Sequence, residues 1–95
     1  MKQYKYTIYK QDGTIEFLPI SKKKDFEELY KILNCSIIEI IPSDYYPAGF
    51  GHSTVYGDEE GRFNENNHRN PHFKVLADGW DVVGNVIREE VYHKL

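Results

Sequence analysis

Val55-Tyr56-Gly57-Asp58-Glu59-Glu60-Gly61-Arg62-Phe63 is the stretch from which the rest of the chain is read. Val55 and Tyr56, with Ser53 and Thr54 before them, are strand-forming residues. Gly57 to Gly61 is a run of turn residues, and Arg62-Phe63 offers a return strand. The pattern predicts a β-hairpin with an acidic tip, in which Gly61 supplies the positive φ that closes the turn.

Upstream of this hairpin, Ile37-Ile38-Glu39-Ile40-Ile41 is a β-branched run bounded by Ser36 and Pro42, and reads as a central strand. Between the two, Ser43 to Gly51 is a loop carrying Tyr45, Tyr46 and Phe50. Its rings either fold back on the core or form a contact surface. Before the β-branched run, Phe26, Leu29, Tyr30 and Leu33 recur at helical spacing, Asp25 stands at the N-cap position with Glu28 three residues on, and Asn34 provides a stop. At the start of the chain, Tyr4 to Tyr9 alternates apolar and polar residues, Gln11-Asp12-Gly13 turns, and Thr14 to Leu18 returns until Pro19 ends the ladder.

Downstream, Asn64 to Arg69 is polar. Asn70-Pro71 reads as the start of a second, short helix, with Phe73 and Leu76 inward and a stop near Gly79. Val82 to Val91 reads as the last strand, with a bulge or tight turn at Gly84-Asn85. The order β-β-α-β-β-β-α-β predicts an α+β fold, a small mixed or mainly antiparallel sheet with two short helices, in a single domain over 1–95.

The totals narrow the function. Eight Tyr, five Phe and one Trp in 95 residues exclude a disordered chain and exceed what a small core can hide, so some rings should serve contacts. A formal charge of −3 argues against nucleic-acid binding by bulk charge. Cys35 is the single cysteine, which removes an internal disulfide, fits a reducing compartment and reads as a core thiol. No apolar run reaches the ~20 residues that span a bilayer, and the N-terminus lacks the apolar stretch of a signal peptide. The expectation is a cytoplasmic protein with no membrane association.

No complete catalytic, metal or cofactor constellation is present. Asp58-Glu59-Glu60 carries carboxylates but lacks the alternating ligands of an EF-hand. His68 and His72 are four apart, but Pro71 spoils a helix running through both. Gly49-Phe50-Gly51 lacks the Lys-Ser/Thr of a phosphate loop. Lys22-Lys23-Lys24 is the one basic cluster, and reads either as a solvated helix entrance or as a phosphate contact with Arg69 and Lys74 as companions.

Three blocks taken together carry a family resemblance: Val55 to Arg62 as quoted, Asn70, and Asp81-Val82-Val83-Gly84-Asn85-Val86-Ile87. They resemble the domain-of-unknown-function 3846 family of bacteria, phages and large DNA viruses. That family has a hydrophobic pair before an Asp-Glu-Glu-Gly-basic turn, an Asn opening a short helix, and a closing Asp-x-Val/Ile-Val-Gly-Asp/Asn-Val strand. Asp12-Gly13, the Phe26–Leu33 helix and the Ile37–Ile41 strand fall in the family order, so the resemblance spans nearly the whole chain. Departures are Pro71-His72-Phe73, where the family has small residues, and the aromatic loop Tyr45 to His52. The resemblance implies a phage, mobile-element or viral origin, hence host cytosol, and transfers no catalytic residue.

The functional expectation is an accessory protein, more a binder than an enzyme, that acts on a protein partner or on itself. Its surface would combine Tyr45, Tyr46, Phe50 and His52 with Asp58, Glu59, Glu60 and Arg62. The alternative is a nucleotide-like small ligand held by Lys22–Lys24, Arg62, Arg69 and Tyr rings. The remote alternative is a metal-assisted hydrolase using His52, His68, His72 and Asp58.

Overall fold

The Asp12-Gly13 turn forms where the sequence places it. In the computed structural model, which describes residues 2–93 and leaves Met1, Lys94 and Leu95 outside the described residues, β1 (Gln3–Tyr9) pairs antiparallel with β2 (Ile15–Phe17). Gly13 takes φ 96°, and the Asp12 carboxylate accepts from the Thr14 amide at 2.9 Å and its hydroxyl at 2.6 Å. Those two bonds hold the Asp12 carboxyl below the usual carboxylate range.

The helix also forms as its caps dictate. In α1 (Phe26–Leu33), the Asp25 side chain accepts from the Glu28 amide at 2.9 Å, and Asn34 ends the helix in the left-handed region at φ 52°. The apolar face is only partly used. Leu29 is buried, whereas Phe26 at the first turn is 60% exposed.

The remaining strands are β3 (Ile38–Ile40), β4 (Thr54–Asp58) and β5 (Val86–Tyr92). The sheet is wholly antiparallel in the order β2-β1-β5-β4-β3. The α+β class stands, but four local expectations are corrected. The predicted Val55–Phe63 hairpin does not form: both edges of β4 are taken by β3 and β5, so Arg62-Phe63 has no edge to join and winds into a short 3-10 turn over Gly61–Phe63. Gly61 is not among the positive-φ glycines, and Asp58 Oδ1 ends the strand by accepting the Glu60 amide at 2.9 Å. The Ile37–Ile41 run is an edge, not the centre; β5 is central.

The predicted second helix is absent as well, leaving one α-helix among the described residues. Asn70 is fully buried, and its side chain works at long range. Its Nδ2 donates to Tyr9 O at 2.8 Å and to Gly84 O at 2.9 Å, while its Oδ1 accepts the His72 amide at 3.0 Å. The Lys74 amide bonds Tyr45 O at 2.9 Å instead of a preceding turn, so the segment runs as irregular backbone, although Phe73 still points into the core. Finally, β5 begins at Val86, because Gly84 at φ 76° breaks the extended chain.

Two cores result, one on each face of the sheet. The helix side holds Tyr6, Ile8, Tyr56, Ile87 and Leu29. The other side holds Tyr9, Val55, Val86 and Ile41, roofed by Tyr45, Tyr46, Phe50, Phe73 and Val82 from the two long connections. Gly57 permits this packing, since a Cβ there would lie 3.1 Å from Ile41 Cδ1. Asn70 ties β1, the 64–79 connection and the entrance to β5 together. Asn70→Ala should therefore lower stability by about 3 kcal/mol or more, at ~1–3 kcal/mol for each buried group left unpaired. A urea midpoint within error of the parent would remove this role.

Candidate functional site

The structure divides the eight predicted contact residues. Tyr45, Tyr46 and Phe50 are buried, so the loop folds back on the core and its rings do not form an exposed surface. Tyr46 donates to Ile41 O at 2.9 Å and accepts from the Val55 amide at 3.2 Å. Phe50 packs against Tyr9 and Phe73 at centroid distances of 5.1 and 5.7 Å, and carries the Arg88 guanidinium at 4.2 Å. Tyr45 packs on Trp80 at 4.6 Å and donates to the Asp78 carboxylate. That bond pushes the Tyr45 phenol up to about 12 and holds Asp78 below its usual range.

Tyr45 and Arg62 do come together, across Trp80. The Arg62 guanidinium lies 4.1 Å from the Trp80 ring and 3.4 Å from Glu39. His52 and the acidic tip do not. They bracket β4 at opposite ends, roughly 20 Å apart at ~3.3 Å per residue. His52 instead borders a 260 Å³ depression with Ser53, Glu90 and His93. Glu59 and Glu60 are exposed and Asp58 is half-buried at the end of β4.

Among the described residues, no three His, Cys, Asp or Glu side chains group to hold a metal ion. His72 Nε2 lies 2.9 Å from Gly13 O and its ring meets Tyr9 edge-on at 5.2 Å. Cys35 is half-buried rather than fully interior, and burial followed by the nearby Asp58 pushes its thiol up. No helix among the described residues is long and apolar enough to cross a membrane.

The helix-side face presents a different site. Glu89, on the central strand, is a carboxyl side chain only 7% exposed. Tyr6 donates to its Oε2 at 2.7 Å and Tyr56 to its Oε1 at 3.4 Å, with Lys23 Nζ at 4.0 Å. Tyr6 in turn accepts the Lys24 amide at 2.8 Å, so the Lys22–Lys24 segment is pinned over the carboxylate by its backbone. Lys23 and Lys24 cover the Tyr4 and Tyr6 rings at 5.8 and 5.3 Å. Beside this cluster lies a 390 Å³ cleft lined by Lys23, Lys24, Asp25, Phe26, Leu29 and Tyr56. Phe26 meets Tyr56 edge-on at 6.5 Å, and Ile40 stands directly across from Tyr56 on β3, 65% exposed.

Neither Glu89 nor the Phe26–Ile40 surface is visible in the sequence. In Arg88-Glu89-Glu90 every residue is charged, so no alternation marks which one turns inward. Phe26 looks like a core residue because it falls on the apolar helical stripe. The signal that could have raised Phe26 is its place at the first helical turn, where a stripe can overhang the sheet.

No family model, no curated protein and no solved structure matches this chain.

Burial, then the Glu89 charge, raises the Tyr56 phenol to about 12, and burial with the Glu89 hydrogen bond moves Tyr6 further in the same direction. Phenols raised in the folded state favour folding fully below the ordinary tyrosine value near ~10, and that contribution is lost as pH rises through the folded value. The melting temperature should fall between pH ~10 and about 12, and less steeply in Tyr56→Phe. Parallel profiles for parent and variant would remove Tyr56 as the cause.

Proposed function

We propose that this chain is a non-catalytic protein-binding domain whose contact surface is the helix-side patch around Phe26, Tyr56 and Ile40, continued by the acidic tip. One observation carries this reading: two large apolar side chains, Phe26 and Ile40, stand 60% and 65% exposed on either side of the Tyr56 ring and beside an apolar cleft. Contiguous exposed apolar groups with a polar rim mark interaction sites, since isolated ones need no explanation but neighbouring ones do. Lys23, Lys24 and Asp25 form the rim at the helix. Asp58, which pairs with Ile38, brings the carboxylates of the tip to the other end. The resemblance to the 3846 family supports an accessory role in a phage, mobile element or large virus.

The nucleotide reading keeps one supporting observation, the lysines at the rim of an aromatic cleft. Its other phosphate contacts are elsewhere: Arg62 is engaged by Glu39 and Trp80, and Arg69 lies in the 64–79 connection, where its backbone pairs with Val83. A thermal-shift series with mono-, di- and cyclic nucleotides separates the two, since a binder is stabilised in proportion to ligand excess.

Phe26→Ala combined with Ile40→Thr should leave the melting temperature near the parent value, because both side chains are largely exposed. It should weaken capture of the partner from cells expressing the tagged chain by about tenfold or more, the loss expected at a hot spot. Phe17→Ser, which changes an exposed ring on the opposite face of the sheet, should capture as the parent does. Equal capture by all three would end the proposal.

A further inference from the structure

The edge strand β3 presents a row of backbone groups to which nothing among the described residues is bonded. Glu59 N donates to Ile37 O at 3.0 Å and Ile41 N to Val55 O at 2.8 Å, so residues 37, 39 and 41 bond to β4. In an antiparallel ladder the alternate residues then face away. The N–H and C=O of Ile38 and Ile40 therefore point out of the sheet, and they have no protein partner among the described residues.

The opposite edge is built differently. On β2 the outward-facing residues are Ile15 and Phe17, since Lys10 N bonds Thr14 O and Leu18 N bonds Tyr6 O. Charged cover guards that edge: Lys5 lies over the Phe17 ring at 5.7 Å, whereas the Lys10–Glu16 pair at 3.2 Å has its counterpart on β3 in Arg62–Glu39 at 3.4 Å. Such devices blunt an edge against pairing. On β3 the only charge in the strand, Glu39, turns to the other face and is held by Arg62. Ile37 and Ile40 remain exposed on opposite faces, and Phe26 shares the helix-side face with Ile40 around Tyr56.

The surroundings select the occupant. Asp58, Glu59 and Glu60 stand at the Ile37 end of the edge, and exposed Asp44 follows Pro42 and Ser43 at the other. A second copy of this chain would suit the edge poorly. An antiparallel pair centred on Glu39 places Glu39 opposite Glu39 and each acidic tip against the other copy's Asp44, so like charges meet at three points. An extended basic segment meets the opposite charge at both ends, and its apolar residues fall beside Ile40 and Phe26.

Resting on the protein-binding reading above, we propose that the β3 edge takes an extended segment of a partner protein by strand addition, with apolar residues facing Ile38 and Ile40 and Lys or Arg flanking them at the Asp58–Glu60 tip. Main-chain bonds to Ile38 and Ile40 supply affinity, and the alternate side chains supply specificity. The carboxylates supply orientation and a salt-sensitive encounter.

The test uses the full chain with the peptide acetyl-Lys-Lys-Val-Thr-Val-Lys-Lys-amide and the same peptide with Glu in place of Lys. At low salt the basic peptide should slow hydrogen exchange of the Ile38 and Ile40 amides by about tenfold while the amides of β2 are unchanged, and the acidic peptide should do neither. Ile40→Pro removes one outward donor without touching a bond to β4, and should abolish the effect. Glu59→Lys with Glu60→Lys, both at exposed turn positions, should weaken binding by about tenfold even if Ile40→Pro disturbs the fold. The proposal is overturned if the basic peptide fails to bind at millimolar concentration, if it binds without protecting Ile38 and Ile40, or if the chain alone is a dimer with those amides already protected. Failure here, with capture still sensitive to Phe26→Ala and Ile40→Thr, removes strand addition alone. Loss of that sensitivity too removes the binding surface itself.

Discussion

Two adjacent ionisable side chains on the central strand, Arg88 and Glu89, point to opposite faces of the sheet, Glu89 buried and Arg88 mostly covered. Neither could be left unpaired, because an isolated charge inside a protein costs several kcal/mol or more. The rest of the fold is arranged around satisfying them. On one face Arg88 donates to Ser53 Oγ at 2.7 Å and Phe50 O at 3.0 Å, and lies 3.1 Å from Glu90. This fixes the backbone of the aromatic loop against the sheet and explains why its rings face inward. On the other face Glu89 gathers Tyr6, Tyr56 and Lys23, and through the Tyr6 hydroxyl it sets the path of the chain into α1.

That arrangement also governs what is left exposed. The Lys22–Lys24 segment is held over Glu89, so α1 begins where the segment leaves it, and Phe26 emerges at the first turn beyond the covered part of the sheet. Tyr56 is pulled down by its hydroxyl toward Glu89, which leaves a gap between its ring, Phe26 and Leu29. The cleft is thus a consequence of a buried carboxylate that draws two aromatic hydroxyls toward itself. Its walls are apolar because the polar ends of those rings are already used.

How much of this could be read beforehand follows from the range of each interaction. The Asp12-Gly13 turn, the Asp25–Glu28 cap and the Asn34 stop are bonds between residues at most four apart, and all three form as the sequence indicates. Asn70 shows the limit. Its short-range signature is that of a helix cap, but a fully buried side chain facing Tyr9 O and Gly84 O is worth more in those bonds than at the head of a weak helix. Asp58 to Phe63 fails as a hairpin for a related reason: turn residues mark where a strand ends and say nothing of whether its edge is already occupied. Tyr45, Tyr46 and Phe50 are expected at a contact surface and are instead buried, because a group that holds their loop inward, Arg88, lies 38 residues from Phe50.

The position of β5 explains why the two edges differ so much. It is the last strand along the chain and sits between β1 and β4, so the β1–β2 hairpin and the β3–β4 pair become one sheet only through it. The outer strands are then β2 and β3, each three residues long. A short edge is itself a protection against unwanted pairing. On β2 it is joined by Lys5 over the Phe17 ring. On β3 no cation covers an exposed apolar side chain in this way among the described residues, and the strand ends beside three carboxylates. A β-branched run of this kind reads as central because such runs are normally buried on both faces. Here Ile41 is buried while Ile37 and Ile40 are not. The mismatch between a central-strand sequence and an edge position is relieved when another strand adds to β3, since that makes β3 an interior strand and covers both isoleucines.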